Sequence, residues 1–258
     1  MMNADPDPRP SRLLTPGDEA PLIVANPGGS AAILLVCDHA GRAVPRRLGR
    51  LGLGDEAFER HIAWDIGAGG LCWKLSAALD AAAARQAYSR LVIDCNRAPG
   101  REDLVPQVSD GTAVPANQGL DTAAVQARID EIHVPYHAGI ADLLDRRMDT
   151  AAPLVVSVHS FTPTMGGVDR PWHVGVLHAH DSKASTRMLE LLGAQAGLVV
   201  GDNQPYAMDG VDYTVPRHAQ ARGLDYLELE IRQDLISGEP GQAKMAALLA
   251  PLIARCGG

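Results

Sequence analysis

Two histidines, His39 and His159, each follow a continuous apolar run. Asp65 lies between them in the chain, and Glu230 sits near the end of a late alternating run. Three nitrogen and oxygen donors with a fourth position open to water make the ligand set of a catalytic zinc site, and a carboxylate outside that set can take the water's proton. Zinc so held lowers the pKa of bound water to about 7 and polarises a carbonyl, so an amide can be hydrolysed without a covalent intermediate. The spacings are long, and strand-end histidines hydrogen-bonded within loops are the alternative that the pattern leaves open.

The stretch Tyr88–Arg97, YSRLVIDCNR, joins an apolar run to Asp94, Asn96 and Arg97. Leu91, Val92 and Ile93 predict a short buried strand, and open α/β sheets place their ligand crevices beyond the carboxyl ends of such strands. A guanidinium there clamps a carboxylate through two hydrogen bonds, and Asn96 can bond the same group. Arg97 is expected to face substrate. Arg90 either joins it or forms an ion pair with Asp94. Three choices stay open on pattern alone: Asp65 as a ligand or a helix N-cap, Asp38 in its place, and Glu228 or Glu230 as the base, since both lie on one strand face. His133 and His137 stand four apart but read HVPYH, with a proline inside and no glutamate, and are expected to be ordinary histidines on a kinked helix. Of His61, His173, His178, His180 and His218, read mostly as surface or supporting residues, His218 is the one expected to line the pocket.

Elements that could hold these groups follow from the apolar periodicity. Leu22–Ala25, Ala31–Cys37, Pro153–Val158, His173–Leu177, 198–200 and Tyr226–Ile231 predict strands. Gly69–Ala84, Thr122–Arg147 with a break at Pro135, Ser182–Gly193 and Ala243–Ala254 predict helices, the alanine-rich runs Ala77–Ala84 and Thr122–Ala127 among them. This alternation is that of a mostly parallel sheet covered on both faces, an α/β protein with three layers. The long connection Ala98–Leu120 is expected to be an excursion that covers the site.

With 258 residues, one catalytic domain over residues 21–258 is expected, preceded by a Pro/Asp/Arg-rich segment, residues 1–20, that forms a mobile tail or a strap. The net charge of -8 and the lack of a Lys/Arg cluster argue against a nucleic-acid partner. No phosphate loop and no G-x-G-x-x-G before a helix supports nucleotide binding. The four cysteines lack CxxC spacing and read as reduced thiols, and no apolar run reaches membrane-spanning length or resembles a signal peptide, so a cytoplasmic protein with no membrane partner is expected.

D-C-N-R at Asp94–Arg97 is similar to the D-x-N-R segment of the aspartoacylase and zinc carboxypeptidase group. A fuller set resembles the N-formylglutamate amidohydrolase family over about residues 30 to 236: CDHA at 37–40, WD at 64–65, SRLVIDCNR at 89–97, PYH at 135–137, HSFTP at 159–163, NQPY at 203–206 and ELEIRQDL at 228–235. The resemblance implies a phosphorylase/hydrolase-like three-layer α/β/α fold and one Zn2+ ion per chain. It also implies a small-molecule substrate, an acidic N-acyl amino acid such as N-formyl-L-glutamate, from which the acyl group is removed. Carried onto this sequence, it makes His39, Asp65 and His159 the metal ligands, Glu230 the group that activates water, and Asn96 and Arg97 the residues that bind the substrate carboxylate. Zinc carboxypeptidases take two ligands from H-x-x-E, whereas Arg42 stands third after His39 here, so the second ligand comes from elsewhere. An aminoacylase- or carboxypeptidase-like metallohydrolase and a non-catalytic carboxylate-binding protein of the same fold are the other functions compatible with these residues.

Overall fold

The computed structural model describes residues 12–179, 182–208 and 210–257; residues 1–11 of the N-terminal segment and His180 lie outside it. The first half of the chain forms strands β1 (Leu22–Ala25) and β2 (Ile33–Cys37), helix α1 (Ala68–Leu79), strand β3 (Ala82–Gln86), a small hairpin of β4 (Val108–Ser109) and β5 (Thr112–Ala113), and helices α2 (Thr122–Arg128) and α3 (Val134–Met148). Strand β6 (Leu154–Phe161), a second hairpin of β7 (Thr164–Met165) and β8 (Val168–Asp169), β9 (Val174–Leu177), helix α4 (Lys183–Gly193) and β10 (Val200–Asp202) follow. Helix α5 (Thr214–His218), β11 (Tyr226–Arg232) and α6 (Glu239–Ile253) complete it. Seven strands make one sheet in the order β1-β3-β2-β6-β11-β9-β10. The four strands β3, β2, β6 and β11 run parallel, with β1 antiparallel to β3 and β9 antiparallel to β11.

Side-chain alternation sends each central strand into two cores. Leu34, Val36, Val155 and Tyr226 pack with Tyr136, Ile140 and Leu144 of α3, while Leu35, Cys37, Val156, Leu227 and Leu229 pack with α1, α4 and α6. The result is a three-layer α/β/α fold, as the alternating pattern predicts. No helix among the described residues is long and apolar enough to cross a membrane. From Arg12 the chain lies as a strap: Leu13 is buried, and the Leu13 and Leu14 amides donate to the Glu131 carboxylate at 2.6 and 2.9 Å.

Two expectations are corrected. Helix α1 ends at Leu79, and Asp80 turns the chain in a left-handed conformation, its carboxylate accepting from the Ser30 amide at 3.1 Å and hydroxyl at 2.6 Å. Ala82, Ala83 and Ala84 then form a fully buried strand, not the end of a helix. Alanine's helix propensity is a weak preference, and pairing with β2 on one side and β1 on the other overrides it. Leu91–Ile93, in turn, is buried but is not a strand. Its backbone is satisfied by side chains instead of a ladder: Asn117 Nδ2 donates to Leu91 O at 2.8 Å, and Arg128 Nη1 donates to Val92 O at 2.8 Å. An apolar run marks burial, and only its pairing distinguishes a strand from a buried turn.

Asn117 also donates to Pro106 O at 2.7 Å and accepts from Arg128 Nη1 at 2.8 Å, so it ties the connection 98–120 to the segment before Asn96. Asn117→Ala leaves the buried Leu91 and Pro106 carbonyls without this donor and removes one of the two acceptors of the buried Arg128 Nη1, and is expected to cost about 2–4 kcal/mol. Thermal melting should fall by about 5–15 °C; an unchanged melting temperature would contradict this account.

Candidate active site

Parallel register carries polar side chains onto one face of the sheet at its carboxyl end. Tyr226 pairs with Val155, Glu228 with Ser157 and Glu230 with His159, so each step toward the strand ends is more polar on that face. His159 thus stands two residues before the end of β6, not just past it. The opposite face stays apolar through Leu227, Leu229 and Ile231.

His39 follows β2, and its carbonyl accepts from the Asp65 amide at 2.8 Å, which joins the end of β2 to the turn before α1. Gly67, in a left-handed conformation, is the N-cap of α1, so Asp65 does not cap the helix. A Cβ on Gly67 would fall 2.0 Å from Ile236 O, and one on Gly41 1.9 Å from Ala87 O, so both turns that aim these ligands require glycine. The three side chains converge: His159 Nδ1 lies 3.0 Å and His39 Nδ1 3.4 Å from the same oxygen, Asp65 Oδ2.

This buried group could hold a metal ion, since a ligand atom from each of His39, Asp65 and His159 lies within 4.8 Å of the others. Two observations fit it. Donors at about 2.0–2.1 Å from a tetrahedral ion stand about 3.3 Å apart, close to the two distances found. His39 Nε2 donates to Asp94 Oδ1 at 2.7 Å, which leaves Nδ1 without a hydrogen-bond partner and as the nitrogen whose proton a metal ion would displace. A carboxylate behind a metal-binding imidazole fixes its tautomer in this way. The charge pattern agrees. Burial opposes ionisation of Asp65, but His39 and His159 hold its carboxyl well below the usual range. Burial likewise lowers His159, yet Asp65 more than offsets it and the imidazole is pushed up to about 10, so positive charge is favoured between these groups.

Glu228 and Glu230 are buried, and each has an Oε2 without a hydrogen-bond partner. Burial raises both, Glu228 well above the usual range and Glu230 to about 8, where the His159 charge pulls the other way. The trio and both glutamates line a cavity of about 530 Å³, together with Arg90, Asn96, Arg97, Asp212 and Tyr206. That volume suits a small molecule such as an acylated amino acid.

A profile of N-formylglutamate amidohydrolases matches residues 31–237. The chain belongs to the N-formylglutamate amidohydrolase family. It is therefore a hydrolase of a carbon–nitrogen amide bond acting on a small molecule. A gene product of Agrobacterium tumefaciens is similar over 95% of this chain and 98% of its own, at 36% identity and a TM-score of 0.91. The N-formylglutamate amidohydrolase of Ralstonia eutropha shares the fold, with a TM-score of 0.67 at 20% identity over 92% of this chain and 97% of its own. Among curated proteins no sequence match is found.

The remaining residues expected at the site divide. The Arg90–Asp94 ion pair is present, at 2.7 Å, on a turn and not on a strand face, and Arg90 also reaches Asp65 at 3.5 Å. Asn96 lines the amidohydrolase cavity, but its amide is used internally: Oδ1 accepts from the Tyr213 and Thr214 amides at 2.9 Å, and Nδ2 donates to Asp212 at 2.9 Å. Arg97 gives Nε to Asp103 at 2.8 Å and Nη1 to Asn96 O at 2.9 Å, and it lines the cavity. Asp38 takes a supporting place. Its Oδ1 accepts from Tyr136 and Thr214 hydroxyls at 2.7 and 2.9 Å, and its Oδ2 stands 3.8 Å from His159 Nε2.

His218 does not line the cavity. It is buried and stacked on His137, whose Nδ1 is 2.9 Å from His218 Nε2 and whose Nε2 is 2.9 Å from Cys95 O; His133 Nε2 reaches Arg97 O at 2.9 Å. The HVPYH pair thus supports the backbone of Cys95–Arg97 from behind. His61 lines the cavity beside Asp110. Ser157 lies outside every motif of the family resemblance, and Tyr206 stands within NQPY at 203–206 without a role attached to it. Ser157 was legible as the residue two before His159 on one strand face, whereas Tyr206 carried no periodic signal.

Burial pulls His137 down to about 2 and His218 to about 3, so both fold neutral and take a proton on unfolding below about pH 6.5. Their contribution to stability is complete above that pH and is lost as pH falls toward 3. Together they add up to about 2.7 kcal/mol per pH unit to the acid slope of unfolding free energy. Denaturant titrations between pH 6.5 and 4.5 should show His218→Gln flattening that slope by up to about 1.4 kcal/mol per pH unit; an identical slope would exclude a neutral folded His218.

Proposed function

We propose that this amidohydrolase removes a formyl or other small acyl group from the nitrogen of an acidic amino acid such as N-formyl-L-glutamate. In this reading Zn2+ is held by His39, Asp65 and His159, and Glu230 carries the proton. The observation that supports it most is a donor trio with a buried, unpartnered carboxylate beside it on the adjoining strand, at the same register step as His159. Zinc at the trio would supply a Lewis acid that lowers the pKa of water to about 7 and polarises a carbonyl.

The chain's own groups do the rest. Asp94 at His39 Nε2 and Ser157 at His159 Nε2 hold the two imidazoles in orientation, and Arg90 holds the Asp94 and Asp65 carboxylates. Glu230 Oε2 takes a proton from the attacking water and delivers it to the departing amine nitrogen. A carboxyl raised to about 8 by burial, against the pull of His159, is near enough to neutrality to serve in both directions. Arg97 Nη2 binds the α-carboxylate and fixes the acyl carbonyl relative to the water, a positioning effect. The anchored Asn96 holds the Arg97 backbone in place.

Formate release from N-formyl-L-glutamate, alongside N-acetyl and peptide substrates, tests the reading. Removing metal with a chelator should abolish turnover and added zinc should restore it. Glu230→Gln should keep its zinc by elemental analysis while kcat falls by about 10²–10⁴. Near-normal turnover in that variant would sink the base assignment, and full activity in metal-free protein would sink the reading as a whole.

A further inference from the structure

Arg90 and Arg97, the two arginines lining the cavity, are each matched by carboxylates: Arg90 by Asp94 and Asp65, Arg97 by Asp103. A third arginine packs behind the residues of the same cavity wall without lining the cavity itself, and among the described residues no carboxylate pairs with it. Arg170 follows β8 at the base of the β7–β8 hairpin, where its amide donates to Pro163 O at 2.8 Å. Its guanidinium lies between the rings of Tyr206 and Phe161, with Cζ 4.9 and 6.0 Å from their centroids. Nη1 donates to the Tyr206 hydroxyl at 3.0 Å and to Thr162 Oγ1 at 3.3 Å, and Nη2 points at Met165 Sδ at 2.9 Å. Phe161, Thr162, Met165 and Tyr206 all line the cavity.

A cation fixed in orientation but given only neutral acceptors, one of them a weak thioether, lacks the counter-ion its geometry suits. Tyr206 accepts from Arg170, so its own proton is free to turn toward the cavity. Phe161 and Thr162 continue β6 two and three residues past His159, which puts this wall beside the proposed reaction centre. Arg97 stands on a different segment, after Asp94. A substrate held at Arg97 by one carboxylate therefore has a separate place for a second.

We propose that Arg170, with the Tyr206 hydroxyl in front of it, forms the subsite for the side-chain carboxylate of a dicarboxylic N-acyl amino acid. This inference rests on the amidohydrolase reading above for the position of the acyl group. Arg170 sets which amino acid is accepted: the substrate's second carboxylate displaces the Met165 sulfur from Nη2 and accepts from Tyr206 and Arg170 together.

The test compares kcat/KM for N-formyl-L-glutamate with that for N-formyl-L-norvaline, which lacks only the distal carboxylate, in zinc-loaded wild type, Arg170→Gln, Arg170→Lys and Tyr206→Phe. Wild type should prefer the dicarboxylate. Arg170→Gln should reduce that preference about 10- to 100-fold, chiefly through KM, with Arg170→Lys recovering part of it and Tyr206→Phe losing part. Equal losses on both substrates would assign Arg170 to holding Tyr206 in place and overturn the proposal, as would a wild type indifferent to the distal carboxylate. Titration calorimetry with the same two compounds reads the subsite without turnover. If neither compound is hydrolysed, the amidohydrolase reading fails, and tighter binding of N-formyl-L-glutamate that disappears in Arg170→Gln still upholds the subsite, while equal binding removes it.

Discussion

The parallel pairing of β6 with β11 is the constraint on which the site depends. One register step places Ser157 beside Glu228 and the next places His159 beside Glu230, while the alternate residues of both strands stay in an apolar core. A slip of β11 by one residue would send both glutamates into that core and bring Leu227 and Leu229 to the cavity face, and a slip of β6 would do the same to His159 and Val158. The hydrophobic face thus enforces the geometry of the polar one, because burying unpaired charge costs far more than the slip could return.

Ionisable groups gathered at a sheet end must compensate one another. Asp94 is shared between His39 Nε2 and Arg90, and Asp65 between His159 and Arg90, so a chain of alternating charge runs from the turn before Asn96 to β6. Asp38 receives two hydroxyl donors at one oxygen and faces His159 with the other. Behind this chain, the segment carrying Asp94–Arg97 has no strand ladder. Asn117, Arg128, His133 and His137 bond its carbonyls with side chains instead. Side-chain anchoring from several directions fixes such a segment as firmly as a strand would, and lets consecutive residues face different partners.

This is also why the sequence was legible in some places and not in others. Continuous apolar runs at Ile33–Cys37 and Leu154–Val158 are legible as buried segments of strand length, and their pairing in the sheet makes them central strands. His39 and His159 were found because they end such runs. Leu91–Ile93 has the same composition but no partner strand, and nothing local distinguishes the two cases. Ala82–Ala84 fails in the opposite sense, since small side chains suit a tightly covered strand as well as a helix. His218, expected to line the pocket, stacks on His137 behind it, and Asn96, which does line the cavity, also accepts from the Tyr213 and Thr214 amides, because residue type tells what a side chain can bond and not which partner folding brings to it. Arg170 was invisible for the same reason: its significance lies in the lack of a carboxylate among the described residues around it.

The choice between the two glutamates, left open by periodicity, turns on their neighbours. Beyond burial, the largest charges that act on Glu228 are Asp212, Glu230 and Asp38, all negative, with His159 opposing them. The largest acting on Glu230 come from the His39–His159 centre, positive whether its charge is carried by protons or by a bound zinc ion, and from Arg90, opposed by Asp65. Burial therefore leaves Glu228 shifted strongly toward its protonated form, while the positive charge beside Glu230 brings that carboxyl back to about 8. A group that must accept a proton from water and then give it up works only if neither form is strongly preferred at the working pH. One register step along β11 separates a carboxyl suited to donating a fixed hydrogen bond from one suited to moving a proton, and this supports Glu230 for the second task.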